Sequence, residues 1–165
     1  MLDGQSSPSR EAVSFAGFIC RAIDRIVSCL DELDEQGLNW RPPAIGANSV
    51  YTLAVHTMAN AEENILGTVC GQAVARSREQ EFLSRAPSAE PLQEYWRRLR
   101  TQIEDALTAL PSGELDRERE HPRRGSVTGR EVLLVVARHS AEHMGQAELT
   151  RDLLRAIRIE RPPST

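Results

Sequence analysis

The chain contains four histidines, and two of them, His139 and His143, stand four residues apart. On a helix, that spacing sets two rings about 40° apart around the axis and one turn apart along it. Imidazoles so placed can converge on one metal ion. Val132, Val135, Val136, Ala147, Leu153, Leu154 and Ile157 fall on the same helical stripe, so both histidines lie within an apolar, core-facing row. Burying neutral imidazoles there costs free energy unless their nitrogens are satisfied, and an ion satisfies both rings at once. Gln146, one turn further on, is expected to hydrogen-bond a ligand ring from behind and fix its tautomer. The competing reading is a pair of ordinary interior histidines bonded to side chains or water.

An ion needs a third ligand. His56 is the only other histidine in a helical stretch, while His121 sits beside Pro122 in a charged segment and reads as solvated. Asn60 and Glu63 share roughly the face of His56 and could support it. One tension remains: His56 lies off the stripe Val50, Ala54, Met58, Ala61 and Ile65, so either that stripe meets a partner subunit or the core face is another one. Three histidines leave at least one coordination position open, the pattern of a reactive site. An ion there would lower the pKa of water to about 7, or take an incoming thiol as thiolate. Imidazole ligands suit Zn, Ni, Fe or Cu, and we expect a single divalent ion, Zn or Ni foremost. His139-Ser140-Ala141-Glu142-His143 also matches H-x-x-E-H, in which Glu142 would act as general base.

Four helical stretches must position these residues. The first is expected from about Ser9 to Gln36, stopped by Gly37 and followed by a linker, Leu38 to Pro43, that its prolines keep from being helical. The second starts near Asn48 or Ser49 and ends around Val69 to Gly71. A connector, Gln72 to Pro87, is too long for a bundle hairpin and has room for a short helical turn at Arg78 to Leu83. The third spans Ser88 to Leu110, and Glu114 to Arg124 reads as a solvated loop. The fourth opens with the capping box Thr128 to Glu131 and runs to about Ile157. With no strand pattern, this is an all-α four-helix bundle with a long connector between helices two and three.

The 165 residues suit a single domain, with 1–8 and 160–165 expected as flexible tails. A formal net charge of −4 gives a polyanion no global attraction, so no nucleic-acid partner is expected. Nor is a membrane partner, because no apolar run is long enough to span a bilayer. Cys20, Cys29 and Cys70 form no C-x-x-C; an odd, sparse set without a signal peptide points to a cytoplasmic protein. Cys20 and Cys29 fall on opposite faces of one helix, and Cys70 lies about 20 Å along its helix from His56, so none reads as part of a shared site. No phosphate-binding glycine loop or nucleophile elbow is present.

The sequence resembles the DinB-like (YfiT-like) metalloenzyme family. The resemblance rests on Leu38-Asn39-Trp40-Arg41-Pro42-Pro43 leading into Asn48-Ser49-Val50 and His56; on Gly71-Gln72 through Arg78-Glu79-Gln80-Glu81-Phe82; and on His139-Ser140-Ala141-Glu142-His143-Met144-Gly145-Gln146. It implies up-down-down-up topology, a metal triad at His56, His139 and His143, and a homodimer. It also implies kinship with thiol-dependent enzymes such as mycothiol-dependent maleylpyruvate isomerase and bacillithiol transferases. The leading expectation is therefore a metal-dependent enzyme acting on a small-molecule substrate, with a low-molecular-weight thiol as co-substrate or with water as nucleophile in a small hydrolase. The alternatives are a non-catalytic metal-binding or structural dimeric module, and a helical interaction protein whose histidines bind nothing.

Overall fold

Ser9 opens the first helix: its Oγ accepts from the backbone N–H of Ala12 at 3.1 Å, satisfying a donor that would otherwise be orphaned. The computed structural model describes residues 8–160, and α1 runs Arg10–Ser28. It is shorter than the stretch to Gln36 that its periodicity suggests. The chain turns instead through Glu32, at φ 62°, and Asp34 caps a separate short helix, α2 (Glu35–Asn39), by accepting from the Gly37 N–H at 2.8 Å. Gly37 thus lies inside α2 and does not end α1. A Cβ there would come within 3.0 Å of Arg158 Nη2 and 3.3 Å of Leu154 Cδ2, so the glycine admits the last helix of the chain to close packing. Fully buried Leu38 anchors this turn, which makes Leu38 and Asn39 helical and starts the extended linker at Trp40.

Ser49 caps α3 (Val50–Ala61), accepting from the Thr52 N–H, and the helix continues as a π-helix over Glu62–Val69 before Gly71 ends it at φ 71°. Its stripe Val50, Ala54, Met58, Ala61 and Ile65 is wholly buried, and His56 on another face is only 4% exposed. Both readings of the off-stripe histidine are therefore corrected. The stripe is core, and the His56 face is covered by α4 (Arg78–Leu83), the short helix expected in the connector, and by the last helix. α5 (Glu90–Thr108) buries Leu92, Trp96, Leu99, Ile103 and Leu107 against α1 and the π segment, and the Trp96 indole N–H donates to Asp24 Oδ1 at 2.8 Å.

The segment expected as a solvated loop is structured. After a 3₁₀ turn (Ser112–Leu115), β1 (Glu118–His121) and β2 (Gly125–Thr128) pair antiparallel, with Glu118 opposite Thr128 and His121 opposite Gly125. Gly125, at φ 72°, closes the hairpin. The fold is mostly helical with this small hairpin, not purely helical.

Residues Gly129–Glu160 form α6. Its capping box is present: the Glu131 N–H donates to Thr128 Oγ1 at 3.2 Å, and Glu131 Oε2 accepts from the Thr128 N–H at 2.7 Å. A Cβ on Gly129 would lie 2.9 Å from the Glu114 carbonyl oxygen, so this entry requires glycine. Val132, Leu133, Val136, Ala147 and Leu154 are buried, but Leu153 and Ile157 are 42% and 38% exposed, so the inward stripe ends sooner than expected. α6 packs on α1 and on α3 with its π extension, and α5 packs on the same two. Of the expected tails, Pro8 bridges to Pro111 and α6 extends to Glu160; 1–7 and 161–165 lie outside the described residues. No helix among the described residues is long and apolar enough to cross a membrane.

Candidate metal centre

α3 contributes His56 and α6 contributes His139 and His143, and the three rings meet. His139 Nε2 lies 3.2 Å from His56 Nε2 and 3.1 Å from His143 Nε2, and all three donor atoms fall within 4.8 Å of one another. Two imidazole nitrogens held at roughly 2.0–2.1 Å by one tetrahedral ion lie about 3.3 Å apart, so the spacing fits a shared ion.

The tautomers fit as well. His56 Nδ1 is 2.7 Å from Glu81 Oε2, so the ring donates there and leaves its Nε2 lone pair pointing at the other two histidines. His143 Nδ1 is 2.7 Å from Gln146 Oε1, with the same consequence. His139 Nε2 therefore faces two acceptors, and one ring proton can serve only one of them. His139 Nδ1 is buried with no hydrogen-bond partner, so the group lacks an arrangement of its own protons that satisfies every nitrogen. A cation at the meeting point satisfies all three Nε2 atoms.

Burial, reinforced by His143 and His56 nearby, pushes the His139 pKa down to about 3. Burial also lowers that of His56, against the upward pull of Glu81. Both rings are neutral at pH 7, the form that binds metal without displacing a proton.

Glu81 is held in turn. Arg76 Nε donates to Glu81 Oε1 at 2.6 Å and Nη2 to Oε2 at 2.9 Å, while Nη1 reaches Glu63 Oε2 at 2.8 Å. Arg123 Nη2 donates to Glu63 Oε2 from outside at 2.5 Å. Burial alone would raise the Glu81 carboxyl; the hydrogen bonds from Arg76 and His56 bring it below the usual range. Glu63 is lowered against burial in the same way by Arg123 and Arg76.

The supporting residues expected from sequence divide. Gln146 hydrogen-bonds His143 directly. Glu63 acts one link further out, through Arg76. Asn60 accepts at its backbone carbonyl from Asn64, and its own Oδ1 is buried without a partner. Glu142 is exposed beside Arg138, with 3.6 Å between the charged groups. His121 is not solvated: at 3% exposure it meets Asn64 Oδ1 at 3.0 Å through Nε2 and accepts from the Arg123 N–H at Nδ1, which clamps the hairpin to the π segment.

Sequence reasoning missed Glu81, Arg76 and Phe82, whose ring lies 4.7 Å from that of His56. Glu81 and Phe82 did lie within the stretch that carried the family resemblance. Phe82 also walls a cleft of about 1210 Å³ shared by Trp40, Arg41 and Arg85. The three cysteines are free, and burial raises each thiol, that of Cys20 to about 12, so none is a ready thiolate.

No curated protein matches the chain. A family model described as DinB superfamily matches residues 20–147, a span that includes all three histidines, the connector with Glu81, and Gln146. By that match the chain belongs to the DinB superfamily.

Proposed function

We propose that the protein is a metal-dependent enzyme in which His56, His139 and His143 hold one divalent ion, Zn or Ni. In this reading a low-molecular-weight thiol or water attacks a small electrophile, as in a thiol transferase, an isomerase or a small hydrolase. The observation that carries it is the convergence of three Nε2 atoms, two with lone pairs fixed by Glu81 and Gln146. The ion would supply Lewis-acid activation of the thiol or water.

The chain's own residues do the rest. Glu81 and Gln146 hold the rings in register. Phe82 packs its ring against one side of His56 and also borders the cleft shared with Trp40, Arg41 and Arg85. Glu142 is the candidate base where water is the nucleophile, since its exposed pairing with Arg138 is weak enough to break. The reading keeps the up-down-down-up topology that the resemblance implies. A homodimer belongs to the same reading, supported by the exposed row Leu149, Leu153 and Ile157; a sedimenting species of one chain's mass at micromolar concentration would count against it.

Metal content of protein purified without a metal-affinity tag tests the centre. About one ion per chain is expected, lost in the triple His56/His139/His143→Ala variant and in His143→Ala alone, with helicity retained. An unchanged content in His143→Ala would sink the assignment.

A further inference from the structure

Glu81 and Arg76 lie on the connector between the π segment and α5. Arg76 stands in its irregular stretch, yet its side chain is only 4% exposed. Each of its three nitrogens is engaged, with two N–H groups on the two oxygens of Glu81 and a third on Glu63. A planar guanidinium held by two carboxylates cannot swing, and a carboxylate gripped at both oxygens cannot rotate. The Glu81 oxygen that meets His56 Nδ1 is thereby fixed in place.

A second contact sharpens the point. Arg76 Nη2 is 3.4 Å from the same His56 Nδ1. Arginine can only donate. With Glu81 present, Nδ1 carries the proton and Nε2 offers its lone pair to an ion. With Glu81 removed, Arg76 is the nearest partner and would favour Nδ1 as acceptor, which moves the proton to Nε2 and blocks the ligand atom.

We propose that Arg76 is a positioning residue for the metal centre, acting through Glu81 to set which nitrogen of His56 is free to bind. Arg76 helps only through Glu81; alone it opposes binding. This rests on the metal-binding reading above.

The test measures zinc affinity by competition with a chromophoric chelator, together with the visible spectrum of the cobalt-substituted protein. Wild type is compared with Arg76→Met, Arg76→Lys, Glu81→Ala and the double variant Arg76→Met/Glu81→Ala. A partner behind a metal-binding histidine commonly contributes 10–100-fold in affinity. Arg76→Met should weaken binding about tenfold and alter the cobalt bands, with Arg76→Lys in between. Glu81→Ala should lose more, approaching 100-fold, and the double variant should bind more tightly than Glu81→Ala alone. A structural role alone gives no such recovery.

Nitrogen-15 spectra of the metal-free wild type supply a readout independent of any variant's folding: His56 should carry its proton on Nδ1. Wild-type affinity in Arg76→Met and Glu81→Ala, simple multiplication of losses in the double variant, or a proton on His56 Nε2 would each overturn the proposal. A wild type that takes up no ion overturns the metal reading itself and is told apart by that result.

Discussion

Gln146 is the least protected of the groups that hold a ring of the histidine triad: it lies exposed on α6 and meets His143 Nδ1 at 2.7 Å. Its removal opens no cavity and leaves no buried group unpaired. Gln146→Ala should therefore lower zinc affinity by about tenfold with the unfolding midpoint of the chelated protein unchanged, a separation that affinity and urea titrations read directly. Glu142→Gln should leave affinity where it was, because Glu142 faces solvent and Arg138. The three histidines were legible as a group because few histidines exist and two of them recur at one helical turn inside an apolar row. Gln146 was legible for the same reason, one turn on. Glu81 and Arg76 were not, because a six-residue helix and an irregular stretch carry no period from which a facing direction can be read.

At the scale of elements, the hairpin and α6 make separable contributions. Thr128→Ala removes the cap of α6 and should cost about 1 kcal/mol, but His139 lies about three turns inside the helix, so metal content should persist. His121 is the hairpin's anchor. His121→Ala would leave Asn64 Oδ1 buried without that partner, a loss of about 1–3 kcal/mol in chemical denaturation. Burial, then the charges of Arg124 and Arg123, lower the His121 pKa below its ordinary 6.5. The unfolded chain thus takes up the proton first, so the stabilisation is complete above 6.5 and is lost as pH falls through the folded value. In metal-free protein, the drop in denaturation midpoint from pH 7 to pH 5 should be smaller for His121→Ala than for wild type; equal drops would show that His121 is not a buried neutral anchor. The hairpin was invisible in the sequence because Glu118, Arg119 and Glu120 show no apolar alternation; pairing through Gly125 and the side-chain bonds of His121 and Arg123 to the π segment make it.

Across the whole molecule, the four long helices were legible from three- and four-residue periodicity, and the length of the connector left room for the short helical turn that is α4. Val55 and Leu66, off the main stripe, already mark α3 and its π extension as apolar on more than one face; what periodicity could not convey is which neighbours bury each face, and α4, α6 and the core each claim one. That burial puts the centre where it ties distant parts of the chain together: His56 and His139 are 83 residues apart in sequence, and Glu81 joins the connector to them. An ion bound by the native state and not by the unfolded chain stabilises by mass action, about 2.7 kcal/mol when free ion stands at 100 times its dissociation constant. For a chain of this size, each kcal/mol moves the melting midpoint by about 2–4 °C, so zinc should raise it by roughly 5–10 °C and a chelator should reverse the rise. The triple His56/His139/His143→Ala variant should melt at one temperature with or without zinc. A zinc-dependent rise of the same size in that variant would mean that the stabilising ion sits elsewhere, and that α3 and α6 are held together by packing alone.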